Sequence, residues 1–176
     1  MKKQILAVFI LLMLLTSCDQ VIFPEPQPRK VKSLQEIPET LLGTYVDEDG
    51  DTLFVFKQHF SYYSDLMDLE DISLSDSAVL KSYKSHYYYS TRIRLQGDQY
   101  WLTYILSPTD QGFDLYTMDP DDIVRLAKLQ EITSKMRDIE DGDAEYYLFN
   151  PKRKHYKKII SDSVFTKMIS FRKVME

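Results

Sequence analysis

The chain has 176 residues, with 22 lysines and arginines against 27 aspartates and glutamates and a formal net charge of −5. Phosphate backbones and anionic lipid surfaces repel such a chain, so the charge balance argues against nucleic acid as a partner and against a membrane held by charge alone. Residues 31–176 are enough for one domain with one core, and we predict a single domain there.

The first 17 residues have the pattern of a secretory signal peptide. Lys2 and Lys3 are followed by 11 consecutive apolar residues, Ile5 to Leu15, and then by small residues of the kind found at cleavage sites. A membrane-spanning helix needs about 20 apolar residues, so this segment is too short to be one. We therefore predict that residues 1–17 are removed.

The residues at the predicted cut, Leu15-Thr16-Ser17-Cys18, resemble the lipobox of bacterial lipoproteins. The resemblance implies cleavage before Cys18, a diacylglycerol thioether on that cysteine and usually a further acyl chain such as palmitate. Several acyl chains hold a protein on a membrane where one would be marginal, so the membrane is the first expected partner. The alternative is an ordinary signal peptide that leaves Cys18, the only cysteine, as a free thiol.

Residues 18–30 are predicted to be a lipidated spacer that lies outside the core. Pro24, Pro26 and Pro28 stand at alternate positions, which favours an extended polyproline conformation. Asp19 resembles the inner-membrane retention signal of enteric bacteria, a rule that other Gram-negative groups do not follow. We expect a lipid-anchored envelope protein, at the outer membrane in preference to the inner one.

Strand patterns dominate after Gly43, because tyrosine, phenylalanine and β-branched residues favour pleated, half-buried surfaces. A short helix broken at Pro38 is predicted over residues 31–42. The predicted strands cover 43–47, 52–57, 59–63, 78–83, 86–90, 91–96, 99–106, 112–118, 132–139, 144–149 and 164–174.

Two short helices are predicted among the strands. Asp119 is suited to cap the first and Pro120 to occupy its first turn, and the second is predicted to start at Asn150-Pro151. This order predicts a mainly β domain, an antiparallel meander that is barrel-like, with two short helices. A β-sandwich is the alternative.

Two acidic segments, Asp47–Asp51 and Glu140–Asp143, each contain an Asp-Gly or Gly-Asp pair between strand patterns. The first resembles part of a calcium-binding loop, but the ligands that such a loop needs further on are replaced by Leu53-Phe54. Because Asp-Gly between apolar runs is a strong hairpin signal, we predict hairpin turns with positive φ at Gly50 and Gly142.

The basic run Lys152-Arg153-Lys154-His155, continued by two more lysines, is unusual in an acidic chain. It could bind phosphate or an acidic partner, although such runs more often form a solvated helix face. Candidate contacts to a ligand or partner also include an arginine pair on one strand face and aromatic residues that could line a pocket or simply pack in the core. These candidates are Arg92, Arg94, Trp101, Tyr104 and Tyr87.

Sequence motifs for catalysis are absent. His59, His86 and His155 lie far apart without the spacing of a metal-binding helix, and there is no Gly-x-Ser-x-Gly elbow or glycine-rich phosphate loop. We therefore predict no catalytic, cofactor-binding or metal-binding residues.

Most of the remaining chain, residues 38–174, resembles a group of small bacterial lipoproteins that carry no assigned activity. A second resemblance is to lipocalin-like barrels, because Gly43-Thr44-Tyr45 is similar to their Gly-x-Trp signature with tyrosine in place of tryptophan. It implies a fold rather than a function. The first resemblance rests on Pro38 to Tyr45, Asp47 to Asp51, Ser75 to Lys81 with Tyr87-Tyr88, Glu131-Ile132-Thr133 and Asn150-Pro151.

These observations predict a membrane-tethered envelope lipoprotein that acts as a non-catalytic binding module. One alternative is an inhibitor or accessory subunit of an envelope protein complex, and another is a hydrolase whose site has no sequence motif. A small-molecule binder needs a cavity with a few polar groups, whereas a subunit needs an exposed apolar patch.

Overall fold

The structure, a computed structural model, describes residues 19–64, 67–142 and 144–174. The predicted signal peptide and the predicted lipid attachment at Cys18 lie outside these ranges. Among the helices that the structure describes, none is long and apolar enough to cross a membrane.

Alternation of apolar and polar residues produces twelve strands in the described part of the chain. The strands are β1 (Gln20–Ile22), β2 (Gly43–Val46), β3 (Thr52–Val55), β4 (His59–Ser64), β5 (Met67–Ser73), β6 (Ala78–Tyr83), β7 (His86–Leu95), β8 (Asp98–Thr109), β9 (Gly112–Thr117), β10 (Lys135–Asp141), β11 (Ala144–Phe149) and β12 (Thr166–Lys173).

Nine of these strands form one antiparallel sheet in the order β5-β4-β3-β2-β12-β9-β8-β7-β6. Most neighbours are joined by short hairpins, whereas β12 inserts between β2 and β9 and so draws the sheet into a nearly closed, barrel-like form. The prediction of a mainly β, antiparallel, barrel-like fold with two short helices is confirmed.

A smaller sheet, in the order β1-β11-β10, packs beside the barrel. Strand β9 pairs with β8 only from Ile105 onward, so the first half of β8 has a free edge. Phe23 occupies that edge directly after β1, because its N–H donates to the Trp101 carbonyl at 2.9 Å and the Trp101 N–H donates back at 2.8 Å. The small sheet therefore continues the barrel wall where β9 leaves it.

The two α-helices are α1 (Ile123–Ile132) and α2 (Tyr156–Ser161), and α2 follows a 3-10 turn at Arg153–His155. The predicted start of α1 is wrong, because Asp122 rather than Asp119 caps it and accepts from the Arg125 N–H at 3.0 Å. Asp119 instead accepts from the Asp121 N–H in a turn before the helix. Closely spaced aspartates can each act as the cap, and the last one does.

Buried side chains form separate clusters on the two faces of the barrel wall. Tyr45, Leu106, Phe113 and Phe171 belong to the cluster formed by β2, β8, β9 and β12. A second cluster, which joins β7 and β8 to the helices and the N-terminal segment, contains Phe23, Tyr88, Trp101, Leu129, Phe149, Tyr156 and Ile159. Burial of one such side chain contributes about 1.5–3 kcal/mol, so both clusters hold the domain together.

The prediction of a spacer outside the core is wrong for residues 19–30. Ile22, Phe23 and Gln27 are fully buried, and Lys81 donates from Nζ to the carbonyls of Pro26 and Pro28. The three prolines indicated an extended chain, but the apolar run Val21-Ile22-Phe23 before them makes that chain part of the core. The folded domain therefore extends at least to Asp19.

Other element boundaries also differ from expectation. Residues 86–95 form the single strand β7 rather than two strands. Strand β5 was not predicted, because three of the seven residues in its sequence, MDLEDIS, are acidic. The predicted helix over residues 31–42 is reduced to a 3-10 turn at Glu39–Leu41, since Pro38 prevents a longer one. Residues of that segment instead bridge to β6, where Leu34 donates to the Leu80 carbonyl at 2.8 Å.

Candidate functional site

The predicted aromatic contacts do not meet around one cavity. Trp101 is buried against the helix-side cluster, whereas Tyr104 stacks on Tyr89, with ring centroids 6.3 Å apart, on the other face of β8. Side chains three positions apart on a strand point to opposite faces, which accounts for the separation. Tyr87 lies on the barrel-interior face, and its hydroxyl is 3.3 Å from Thr40 Oγ1.

Arg92 and Arg94 share one face of β7, as predicted, and both are exposed. Arg92 Nη1 donates to Gln99 Oε1 on the neighbouring strand at 3.3 Å. The two guanidinium groups thus stand on an open wall of the sheet without a pocket around them.

The acidic segments form hairpin turns. Strands β2 and β3 pair from Val46 and Thr52 outward, and Gly50 has φ 93°; Gly142 in the β10–β11 turn has φ 64°. Asp47 is buried, with Oδ1 accepting from the N–H groups of Asp49 and Asp51 and Oδ2 accepting from the Tyr62 hydroxyl at 2.9 Å. These carboxylate oxygens are therefore engaged in holding the turn. The prediction of hairpins at both glycines is confirmed.

The three histidines have separate environments. His59 stacks on Phe56 with ring centroids 4.4 Å apart, and His155 Nδ1 accepts from the Lys152 N–H at 3.3 Å. His86 Nδ1 is buried without a hydrogen-bond partner, and burial lowers the pKa of its imidazole. None of these contacts is the histidine–serine or histidine–carboxylate pair that a hydrolase would need.

In the described part of the chain, five cationic side chains come together around a cavity of about 450 Å³. Two arginines and three lysines come from two segments that are far apart in the sequence. We call this space the basic cavity, and its lining residues are Arg29, Lys30, Lys152, Arg153 and Lys154.

Buried hydrogen bonds fix the first of these segments. The Tyr156 hydroxyl donates a hydrogen bond to Gln27 Oε1 at 3.2 Å, and the Gln27 backbone N–H donates to Ser90 Oγ at 3.2 Å. Lys81 holds the carbonyls on either side of Gln27, at 2.6 Å and 3.1 Å. Arg29 and Lys30 therefore follow a rigid stretch of backbone.

The second segment is fixed by its turn. Pro151 is buried, the 3-10 turn Arg153–His155 follows it, and the Lys152 N–H donates to the His155 side chain. Desolvation, followed by the positive charges of Lys154 and Lys152, lowers the pKa of His155. Burial thus contributes most to this pKa shift, and the two neighbouring ammonium groups add to it.

One carboxylate lies next to the cavity. Glu25 Oε1 is 2.5 Å from Arg29 Nε, as an ion pair whose N–H is not aligned for a hydrogen bond. The five lining residues are all cations, which makes this space positive in a chain of net negative charge. Arginine forks and lysine ammonium groups in such a space can bind carboxylate or phosphate oxygens.

The sequence indicated half of this site. The run from Lys152 to Lys154 was a candidate for phosphate, but Arg29 and Lys30 were assigned to the spacer and missed. A pair of cations directly after a proline-rich stretch gave no signal that the stretch would fold back onto residues 152–154. Comparison with known proteins finds no match, whether among family models, curated proteins or solved structures.

Proposed function

We propose that this chain is a lipid-anchored binding module of the cell envelope that holds an anionic ligand in the basic cavity. The observation that carries the proposal is the convergence of five cations from two distant segments on one cavity in an acidic chain. Mutual repulsion makes such a cluster unfavourable by itself, and a bound carboxylate or phosphate group would relieve it.

The cavity size fits a small molecule rather than a macromolecule. A volume of about 450 Å³ lies within the range of about 300–1,000 Å³ that small-molecule sites occupy. The positive charge favours ligands with several anionic oxygens, which can contact the guanidinium and ammonium groups together.

The position of the cavity favours a ligand in solution over a lipid headgroup. Asp19, the neighbour of the proposed lipid-bearing residue, contacts the start of β11 through the Glu145 N–H at 3.0 Å. Lys152 follows the other end of β11, and a six-residue strand is about 17 Å or more in length. An anchor at Cys18 would thus hold one end of the small sheet, with the cavity at the other.

A calorimetric titration of the full chain, in a neutral detergent, with inorganic pyrophosphate tests the proposal. The variant carries Lys152→Ala, Arg153→Ala and Lys154→Ala, three exposed positions whose replacement leaves the core intact. We expect its affinity to fall about tenfold or more, because each lost charged contact contributes more than 1 kcal/mol.

The control removes the same charges elsewhere, with Lys57→Ala, Arg94→Ala and Lys167→Ala, all exposed and outside the cavity. Equal losses in both triple variants would mean diffuse charge attraction and would overturn the proposal. Reconstitution into phosphatidylcholine vesicles, with or without phosphatidylglycerol, separates the ligand sources. Pyrophosphate binding that vanishes only with phosphatidylglycerol would show that headgroups fill the cavity.

A further inference from the structure

A second cavity, of about 180 Å³, lies between α2 and the hairpin that joins β6 to β7. At about 30 Å³ for each water molecule, it has room for roughly six waters or a small organic ion. It shares no lining residue with the basic cavity. We call it the tyrosine cavity, and it is lined by Lys84, His86, Tyr88, Tyr156, Lys157, Ile160 and Ser161.

Two residues that line this cavity each carry a buried polar side-chain atom without a partner in the protein. Tyr88 is fully buried, yet its hydroxyl makes no hydrogen bond, and His86 Nδ1 is buried and unpartnered as well. The neighbouring Tyr156 hydroxyl, by contrast, donates to Gln27. Most buried polar atoms are paired, and an unpaired one destabilises the fold. Both atoms belong to residues that line the same space, and a rotation of either side chain toward that space would let a bound molecule complete its hydrogen bond.

The charges around the cavity select the kind of molecule. Lys84 and Lys157 are exposed cations on opposite sides of it, one on the hairpin and one on α2. Burial lowers the pKa of His86 and raises that of Tyr88, so both groups are neutral near pH 7 and act as hydrogen-bonding groups. Two cations, a hydroxyl donor and an imidazole that donates from Nδ1 in its Nδ1–H tautomer suit an anion with two or more oxygens.

The hairpin holds one of these lysines in an unusual backbone conformation. Lys84 and Ser85 have φ of 50° and 64°, whereas the β7–β8 turn uses Gln96 and Gly97 for the same purpose. Glycine or asparagine normally occupies such turns because other residues are strained there. The strained residue is the one that brings its ammonium to the cavity, where it also lies 5.8 Å from the Tyr83 ring.

We propose that the tyrosine cavity binds a small carboxylate or phosphate ion, which takes hydrogen bonds from the Tyr88 hydroxyl and His86 Nδ1 and charge pairing from Lys84 and Lys157. The ion is separate from the ligand of the basic cavity. The first part of the segment from Lys152 to Ser161 lines the basic cavity and the second part lines the tyrosine cavity. Because the two cavities share no lining residue, a substitution can remove either site without the other.

Histidine nitrogen NMR of the full chain in neutral detergent follows both sites at once. His86 reports the tyrosine cavity, His155 reports the basic cavity, and His59, which stacks on Phe56, is the internal reference. Titration with acetate and, separately, with inorganic phosphate should shift the His86 Nδ1 resonance saturably while His59 stays unchanged. Shifts at His155 alone would leave the proposed function standing and overturn this one.

Variants then assign the contacts. Tyr88→Phe keeps the ring and removes only the unpartnered hydroxyl, so the fold should be retained, and anion affinity should fall about tenfold. Tyr63→Phe, at an exposed tyrosine on β4, is the matched control. Lys84→Met should weaken binding as well. If His86 does not respond to either ion, or if Tyr88→Phe and Lys84→Met bind as the unmodified chain does, the cavity holds only water and the proposal fails.

Discussion

Replacement of Lys81 by methionine should separate the N-terminal segment from the barrel. Lys81 is only 6% exposed, and its ammonium donates at 2.6 Å and 3.1 Å to the carbonyls of Pro26 and Pro28. Hydrogen bonds from a charged donor contribute about 1.5–3 kcal/mol each. The ammonium, however, loses several kcal/mol of hydration, and burial lowers its pKa. Methionine fills the same space, so we expect a net loss of about 2 kcal/mol.

Urea denaturation measures this loss in the free energy of unfolding. In thermal denaturation, the melting temperature should fall by about 4–8 °C. Lys32→Met, at an exposed position just beyond the same segment, should change stability by less than about 0.5 kcal/mol. Hydrogen exchange at the Phe23 amide, which bonds to Trp101, should accelerate in the Lys81 variant. If Lys81→Met left both stability and exchange unchanged, residues 19–30 would not be held on the barrel and the reasoning would be refuted.

Three further perturbations test the barrel and its ionisable groups. Gly112→Ala should cost about 1–3 kcal/mol in urea denaturation, because a Cβ there would lie 2.0 Å from the Phe171 carbonyl oxygen. Gly50→Ala meets no atom within 4 Å, but its φ of 93° strains an alanine, so this change should cost about 1–2 kcal/mol through the backbone alone. Burial lowers the pKa of His86 below 6.5, so the free energy of unfolding should fall as pH drops below 6.5. His86→Gln should remove this part of the pH dependence, and an unchanged dependence of stability on pH would contradict the prediction. Burial and two neighbouring carboxylates raise the pKa of Tyr62. The stability that Tyr62 contributes is fully present below pH 10 and should be lost as pH rises above 10. Unfolding followed by circular dichroism should show that stability falls less steeply with pH in Tyr62→Phe than in the unmodified chain.

The fold class followed from local patterns because antiparallel hairpins are local structures. Alternating residues in β7 and β8 and the turns at Gly50 and Gly142 each involve neighbours in the sequence, so periodicity and turn chemistry identify them. Strand β1 has no such local partner. It pairs in parallel with β11, where Gln20 lies opposite Tyr146, and no pattern in three residues reveals a partner so distant.

The candidate site had the same limit. The run from Lys152 to Lys154 was visible in the sequence because basic runs are unusual in an acidic chain. Arg29 and Lys30, however, are brought to that run by the buried hydrogen bond between Gln27 and Tyr156. Likewise, the tyrosines near residue 87 suggested a pocket, and Tyr88 does line one. The opposite wall of that pocket is formed by Tyr156 on α2. The sequence predicted that this helix packs on the barrel, but it did not predict the contact between Tyr156 and Tyr88 on β7.

The distance along the chain between β1 and β11 also sets an order of events in folding. The pairs Gln20 with Tyr146 and Gln27 with Tyr156 cannot form until the last quarter of the chain is present. Closure of such a long loop is slow compared with hairpin formation, so the hairpins of β2–β5 and of β6–β9 should form first. Insertion of β12 between β2 and β9 and docking of the N-terminal segment should follow. If the chain is exported as the lipoprotein proposed above, that delay would leave residues 19–30 undocked until the rest of the chain had crossed the membrane. Docking of residues 19–30 would then mark a chain whose export is complete.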